Sequence, residues 1–269
     1  MAGMPSPFRI LSAVAGGLLV VLLALPLVAL VGHAAGGGSV GAWFGPETRE
    51  ALTVSLRTSA LSLALIVLLG TPLAAWLASA RHPLLPWVRT LVELPMVLPP
   101  TVAGLGLLLA FGRAGMLGGV LSFWGVQIPF TLTAVVLAQL FVGAPLFVSA
   151  ARTAFAAVDP ELTEAAATLG SGETARFLRV TLPVARHGLI TGATLALARA
   201  LGEFGATLMF AGNLAGVTRT LPLAVYGALQ TDPEVAIGLS LILLGMAGAL
   251  LLVLRLAERG VERTHDASR

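Results

Sequence analysis

The sequence predicts an all-α, polytopic membrane protein with about six transmembrane helices in one domain covering residues 1–269. Three observations lead there. The chain is 57% hydrophobic and 11% charged, with a mean hydropathy of +0.94, whereas soluble domains carry about 25% charged residues. Six apolar runs approach the roughly 20 helical residues that cross a hydrocarbon core about 30 Å thick. The arginines between those runs are unevenly shared between alternate loops, as the positive-inside rule requires. A soluble chain of this composition would expose large adhesive patches.

The runs follow in order. Residues 10–31 come after Arg9. This run exceeds the apolar region of about 7–15 residues of a secretory signal, so an uncleaved first span is expected. Residues 58–77 follow Arg57. Residues 94–111 are interrupted early by Pro95, Pro99 and Pro100. Residues 130–155 contain Pro145, which predicts a kink. Residues 184–210 contain Arg199 and Glu203, and residues 235–254 contain no charge. Placing the N-terminus inside leaves only Arg49, Arg57, Arg113 and Arg219 in outer loops, so both termini are expected in the cytoplasm. Trp124 then sits at an outer headgroup level, and residues 156–182 form the longest cytoplasmic loop.

Several function classes are excluded by residue type. The chain has no cysteine, which removes disulfides, thiolate metal sites and cysteine nucleophiles. All 16 basic residues are arginine. A Walker A loop needs a lysine on the nucleotide phosphates, so no such loop is present. His33, His82, His187 and His265 lack metal-ligand spacing, and no basic stripe suggests nucleic acid. No catalytic set can be assembled, and no cofactor is expected on this chain.

The cytoplasmic loop is organised. Asp159-Pro160 is a helix-start signal, with Asp capping free N–H groups and Pro preformed for the first turn. Leu162, Ala165, Ala166 and Leu169 follow at i, i+3, i+4, i+7 on one face. Glu161, Glu164 and Thr168 lie off that stripe, and Gly170 is placed as a stop. Ser171 is expected to cap a second short helix reaching toward Thr181, and Pro183 opens the fifth run. Two readings stay open: a surface helix resting on the membrane or its own bundle, or a knob for a partner's groove.

Glu164-Ala165-Ala166, then Gly170, then Val180-Thr181-Leu182-Pro183 resembles the EAA motif of ABC-importer permeases, with Val180 replacing the usual isoleucine. The stretches 93–104, 199–207 and 212–213 are similar to oxyanion permeases, and Thr220-Leu221-Pro222-Leu223-Ala224-Val225-Tyr226 is most similar to the molybdate branch. The resemblance implies a type I importer fold working as a homodimer in the bacterial inner membrane. It makes residues 156–182 a coupling loop, with Glu161, Glu164, Ala165, Ala166, Gly170, Leu182 and Pro183 engaging a separate ATPase subunit that holds ATP and Mg. It also implies an oxyanion-binding protein in the periplasm or outside the cell. Sulfate/thiosulfate and tungstate permeases share much of the pattern, and a secondary anion carrier is the rival class.

Charges inside the runs carry a second candidate site. Arg199 and Glu203 are four residues apart and share a helix face. A central charge costs about 2.5–3.5 kcal/mol on insertion scales and faces a bundle interior or a wet path. The pair either holds spans in register or lines an anion path, where Glu203 would repel a resident anion. Ala198, Gly202 and Ala206 form a small-residue row suited to close helix contact. Pro99 and Pro100 remove backbone donors and favour extended geometry. Such backbone must be packed or line a cavity. Together with the resemblance to oxyanion permeases over 93–104 and 199–207, this makes Pro99, Pro100, Thr101, Arg199, Glu203 and Thr207 the candidate path or gate residues.

Overall fold

Helix α6 (Leu132–Ala156) lies at the centre of the bundle. The computed structural model describes residues 6–35, 45–79 and 82–266. Around α6 run α1 (Ser6–Ala35), α2 (Pro46–Ser79), α3 (Leu85–Val97), α4 (Pro100–Phe111) and α5 (Gly118–Phe123). Then come α7 (Pro160–Thr168), α8 (Glu173–Arg176) with a π-helical continuation Phe177–Thr181, α9 (Leu182–Leu201), α10 (Gly205–Ala211), α11 (Leu221–Ala228) and α12 (Pro233–Asp266). Ala134, Gln139, Val142, Phe147 and Ala151 of α6 are all buried, and a helix covered on every side belongs in a core.

Helices α2 and α9 pack most extensively on α6. Small residues allow this approach. A Cβ on Gly70 of α2 would lie 2.7 Å from the Phe147 ring, and one on Gly188 of α9 would collide with Ala154. At the other extreme, none of the apolar window of α1 is buried. Such a helix needs lipid around it. Four described helices are long and apolar enough to cross a membrane, and the bent pair α3–α4 would make a fifth.

Breaks fall where backbone donors are lost or diverted. Pro95 lies inside α3, and the chain turns by 118° after it, with Leu98 and Pro99 extended. Helix α6 continues through Pro145. The run 184–210, expected as one helix, is two: α9 ends at Leu201 and α10 starts at Gly205. The Glu203 carboxylate takes the Ala206 N–H, a donor that a continuous helix would give to the carbonyl of Gly202. The row Ala198, Gly202, Ala206 is therefore not one continuous face. Ala198 and Gly202 are exposed while Ala206 is buried in the next helix. Helix α2 begins at Pro46, well before the apolar run at 58.

Candidate functional site

The first candidate region is α7. Asp159 is extended, and its Oδ1 accepts the Glu161 N–H at 2.9 Å, the cap its position predicts. Gly170 has φ +83, a left-handed conformation glycine adopts without penalty. Gly170 N–H reaches the Ala167 carbonyl at 2.9 Å and Ser171 N–H reaches that of Ala166 at 3.0 Å, a Schellman closure. Ser171 does not cap the next helix; α8 starts after Gly172 without a side-chain cap. Both backbone positions at this turn are already committed to closing α7.

No residue of α7 is buried. Leu169 is 86% exposed and Leu162 47%. Thr163 and Ala166 are half-buried, while Glu161, Glu164 and Ala165 are exposed. The apolar stripe therefore does not pack on its own bundle. A nine-residue helix is marginal in isolation; here both ends are tied. It rests on α8 and the π turn, where Leu182 N–H bonds the Phe177 carbonyl. Phe177 packs on Phe155 of α6, with ring centroids 5.8 Å apart. Leu182 is half-buried in that core, and Pro183 is exposed at the head of α9. A cavity of about 480 Å³ separates this loop from the ends of α2 and α6, lined by Ala78, Phe155, Thr163, Arg176 and Phe177 among others.

The second region is the break between α9 and α10. Glu203 is 1% exposed. Its Oε1 accepts the Ala206 N–H at 2.7 Å, and its Oε2 lies 2.6 Å from Arg199 Nη1. The approach to Arg199 is an ion contact without hydrogen-bond alignment, so Oε2 lacks a donor. Burying a carboxylate is expensive unless it is paired, and these two contacts offset that expense. The α4 helix presses on α10: a Cβ on Gly104 would lie 2.7 Å from the Ala206 carbonyl oxygen and from Met209 Cβ. A Cβ on Gly205 would lie 2.8 Å from Pro100 Cβ and 3.3 Å from the Thr101 nitrogen.

The proline turn and the charged break, separated by a hundred residues of sequence, thus form one region. Pro99, Pro100 and Thr101 are exposed on its surface. Thr207 is buried, with its hydroxyl unpartnered. Phe204 meets Tyr226 of α11, with ring centroids 5.1 Å apart. The α7 residues belong to a separate region. Among the described residues, no group of three or more His, Cys, Asp or Glu gathers to hold a metal.

A polar seam escaped the sequence reading. Gln139 of α6 donates to Ser59 Oγ at 3.3 Å, and Ser62 of α2 donates to the Gln139 carbonyl oxygen at the same distance. Ser55 Oγ accepts the Leu221 N–H at 2.7 Å, satisfying the first donor of α11. Its signal was visible: Ser55, Ser59 and Ser62 recur at i, i+4, i+7 across the start of an apolar run, and Gln139 is a lone amide in another.

Lipid-requiring helices, helices broken mid-bundle and a short helix presented outside the core are the features of a polytopic membrane protein, and the family that matches makes it a transport permease. A family model described as "Binding-protein-dependent transport system inner membrane component" matches residues 70–263, and the chain belongs to that family. It is 46% identical over 246 residues to the "Molybdenum transport system permease protein ModB" of Mycobacterium tuberculosis, covering 90% of each chain. It is 38% identical over 240 residues to the "Probable transport system permease protein NifC" of Clostridium pasteurianum, covering 89% of this chain and 84% of that one. A solved bacterial ABC transporter involved in the import of the acidic polysaccharide alginate has a TM-score of 0.70 at 15% identity, covering 95% of this chain and 96% of its own. At that identity the likeness is one of fold.

Proposed function

We propose that this chain is the permease subunit of an ATP-driven molybdate importer. Two copies enclose the path. A separate ATP-binding subunit, carrying ATP and Mg, engages α7 through Glu161, Glu164, Ala165, Ala166 and Gly170, with Leu182 and Pro183 passing movement into α9. A periplasmic or extracellular oxyanion-binding protein delivers the substrate. Both termini face the cytoplasm, and α3–α4 and α9–α10 supply the third and fifth of six crossings. The region of Pro99, Pro100, Thr101, Arg199, Glu203 and Thr207 acts as path or gate.

The observation that carries the coupling role is the uncovered stripe of α7. Leu169 is 86% exposed on a helix fixed at both ends, which is the arrangement helix-in-groove recognition uses. The relatives' molybdenum names and the 46% identity support the substrate. The absence of lysine from the chain, which leaves it without a Walker A loop, supports the reading that ATP is hydrolysed on a separate subunit. The broken helix with a half-buried ion pair also favours a secondary carrier, since carriers place such features near the midplane.

The test is molybdate accumulation in cells whose own permease gene is deleted, complemented with this chain. Restoration should depend on the ATPase gene. Glu164→Arg with Gly170→Trp should abolish it without loss of the protein from the membrane. Accumulation that survives the double substitution or removal of the ATPase would favour the carrier. Competition by sulfate, thiosulfate or tungstate in the same assay ranks the oxyanions.

A further inference from the structure

We infer that Arg199 contacts the passing tetrahedral oxyanion and that Glu203 is its built-in competitor, exchanged for the anion during transit. The inference rests on the permease reading above and adds a mechanism to it. Glu203 is fixed: it is buried and its Oε1 holds the Ala206 N–H at the head of α10. Arg199 is freer. It sits in the last turn of α9 with a side chain 34% exposed, and it meets Glu203 through Nη1 alone. It makes no hydrogen bond to the described residues. A guanidinium offers five donors in a planar fork that matches tetrahedral anions in pairs, so most of that fork is unengaged.

A charge within an apolar run does not point to lipid. Its open side faces a wet path or a second copy, and Gly202, three residues on, is small and exposed. When the guanidinium turns to an anion, Glu203 keeps one oxygen satisfied by Ala206. The buried Thr207 hydroxyl, unpartnered in this state, is a donor on the same segment for the other oxygen. The negative carboxylate then repels the bound dianion and reclaims Arg199. The pair makes the contact weak and brief, as passage requires.

Equilibrium binding of labelled inorganic molybdate to the full chain in lipid nanodiscs tests this. Glu203→Gln keeps an acceptor for Ala206 and removes the competing charge; it should bind about tenfold or more tightly than the unaltered chain. Arg199→Gln added to Glu203→Gln should erase the gain. On the unaltered chain, phenylglyoxal modification of Arg199, read by mass spectrometry, should be slowed by molybdate and not by chloride. No gain in Glu203→Gln, a gain that survives loss of Arg199, or labelling indifferent to molybdate would each overturn the exchange. The cellular assay separates the two levels: accumulation without the gain refutes the exchange alone, and no accumulation refutes the molybdate permease reading.

Discussion

Helix α7 and the α4–α10 contact are opposites in packing. Helix α7 buries no residue and exposes its leucines. The α4–α10 contact is so close that a single added Cβ at Gly104 would meet backbone at 2.7 Å. Both are short, and neither would be stable alone. Helix α7 is held by its caps and leaves its side chains free for another molecule. The α4–α10 pair is held by its side chains and leaves its backbone broken. On the function proposed above, the surface meant for a partner is kept uncovered, while the region assigned to the path is kept tight and glycine-lined.

The sharpest way to break that contrast is at Gly104. Gly104→Leu should prevent accumulation of monodisperse protein in detergent. Gly104→Ala should destabilise by about 1–3 kcal/mol through overpacking, read as a lower unfolding temperature. Normal stability in both would show that the contact is loose. Leu169→Glu probes the other side. Stability should move within about 0.5 kcal/mol, as for exposed positions, while molybdate uptake falls on the order of tenfold if about 1.4 kcal/mol of partner contact is lost.

Smaller effects refine the frame that carries both regions. Ser55→Ala leaves the buried Leu221 N–H unpaired and should lower stability by about 1–3 kcal/mol, with faster hydrogen exchange at the start of α11. Gln139→Leu removes two interhelical bonds, to Ser59 and from Ser62, each of a kind worth about 0.6 kcal/mol on average in a membrane bundle. Its unfolding temperature should fall least among the buried positions of the series.

Legibility in the sequence followed locality. The α7 boundaries could be read because Asp159, Pro160 and Gly170 act through their own backbone neighbours. The pairing of Arg199 with Glu203 was readable because i,i+4 spacing brings them together. The break at Gly202–Phe204 was not. It depends on the Glu203 side chain taking a backbone donor three residues ahead, which neither spacing nor hydropathy along the run reveals. The contact of Pro100 with Gly205 was also hidden, since it is tertiary. Ser171 misled because a capping residue beside a glycine stop can be recruited to close the preceding helix instead.

The central claim is that α7 engages an ATPase through its uncovered stripe. The most direct measurement is stimulation of ATP hydrolysis when the purified ATP-binding subunit is reconstituted with this chain, unaltered or carrying Leu169→Glu. The unaltered chain should stimulate hydrolysis, and a variant that keeps its helical circular dichroism and elution volume should return it to the level of the ATPase alone. Equal stimulation by the two chains would contradict the claim.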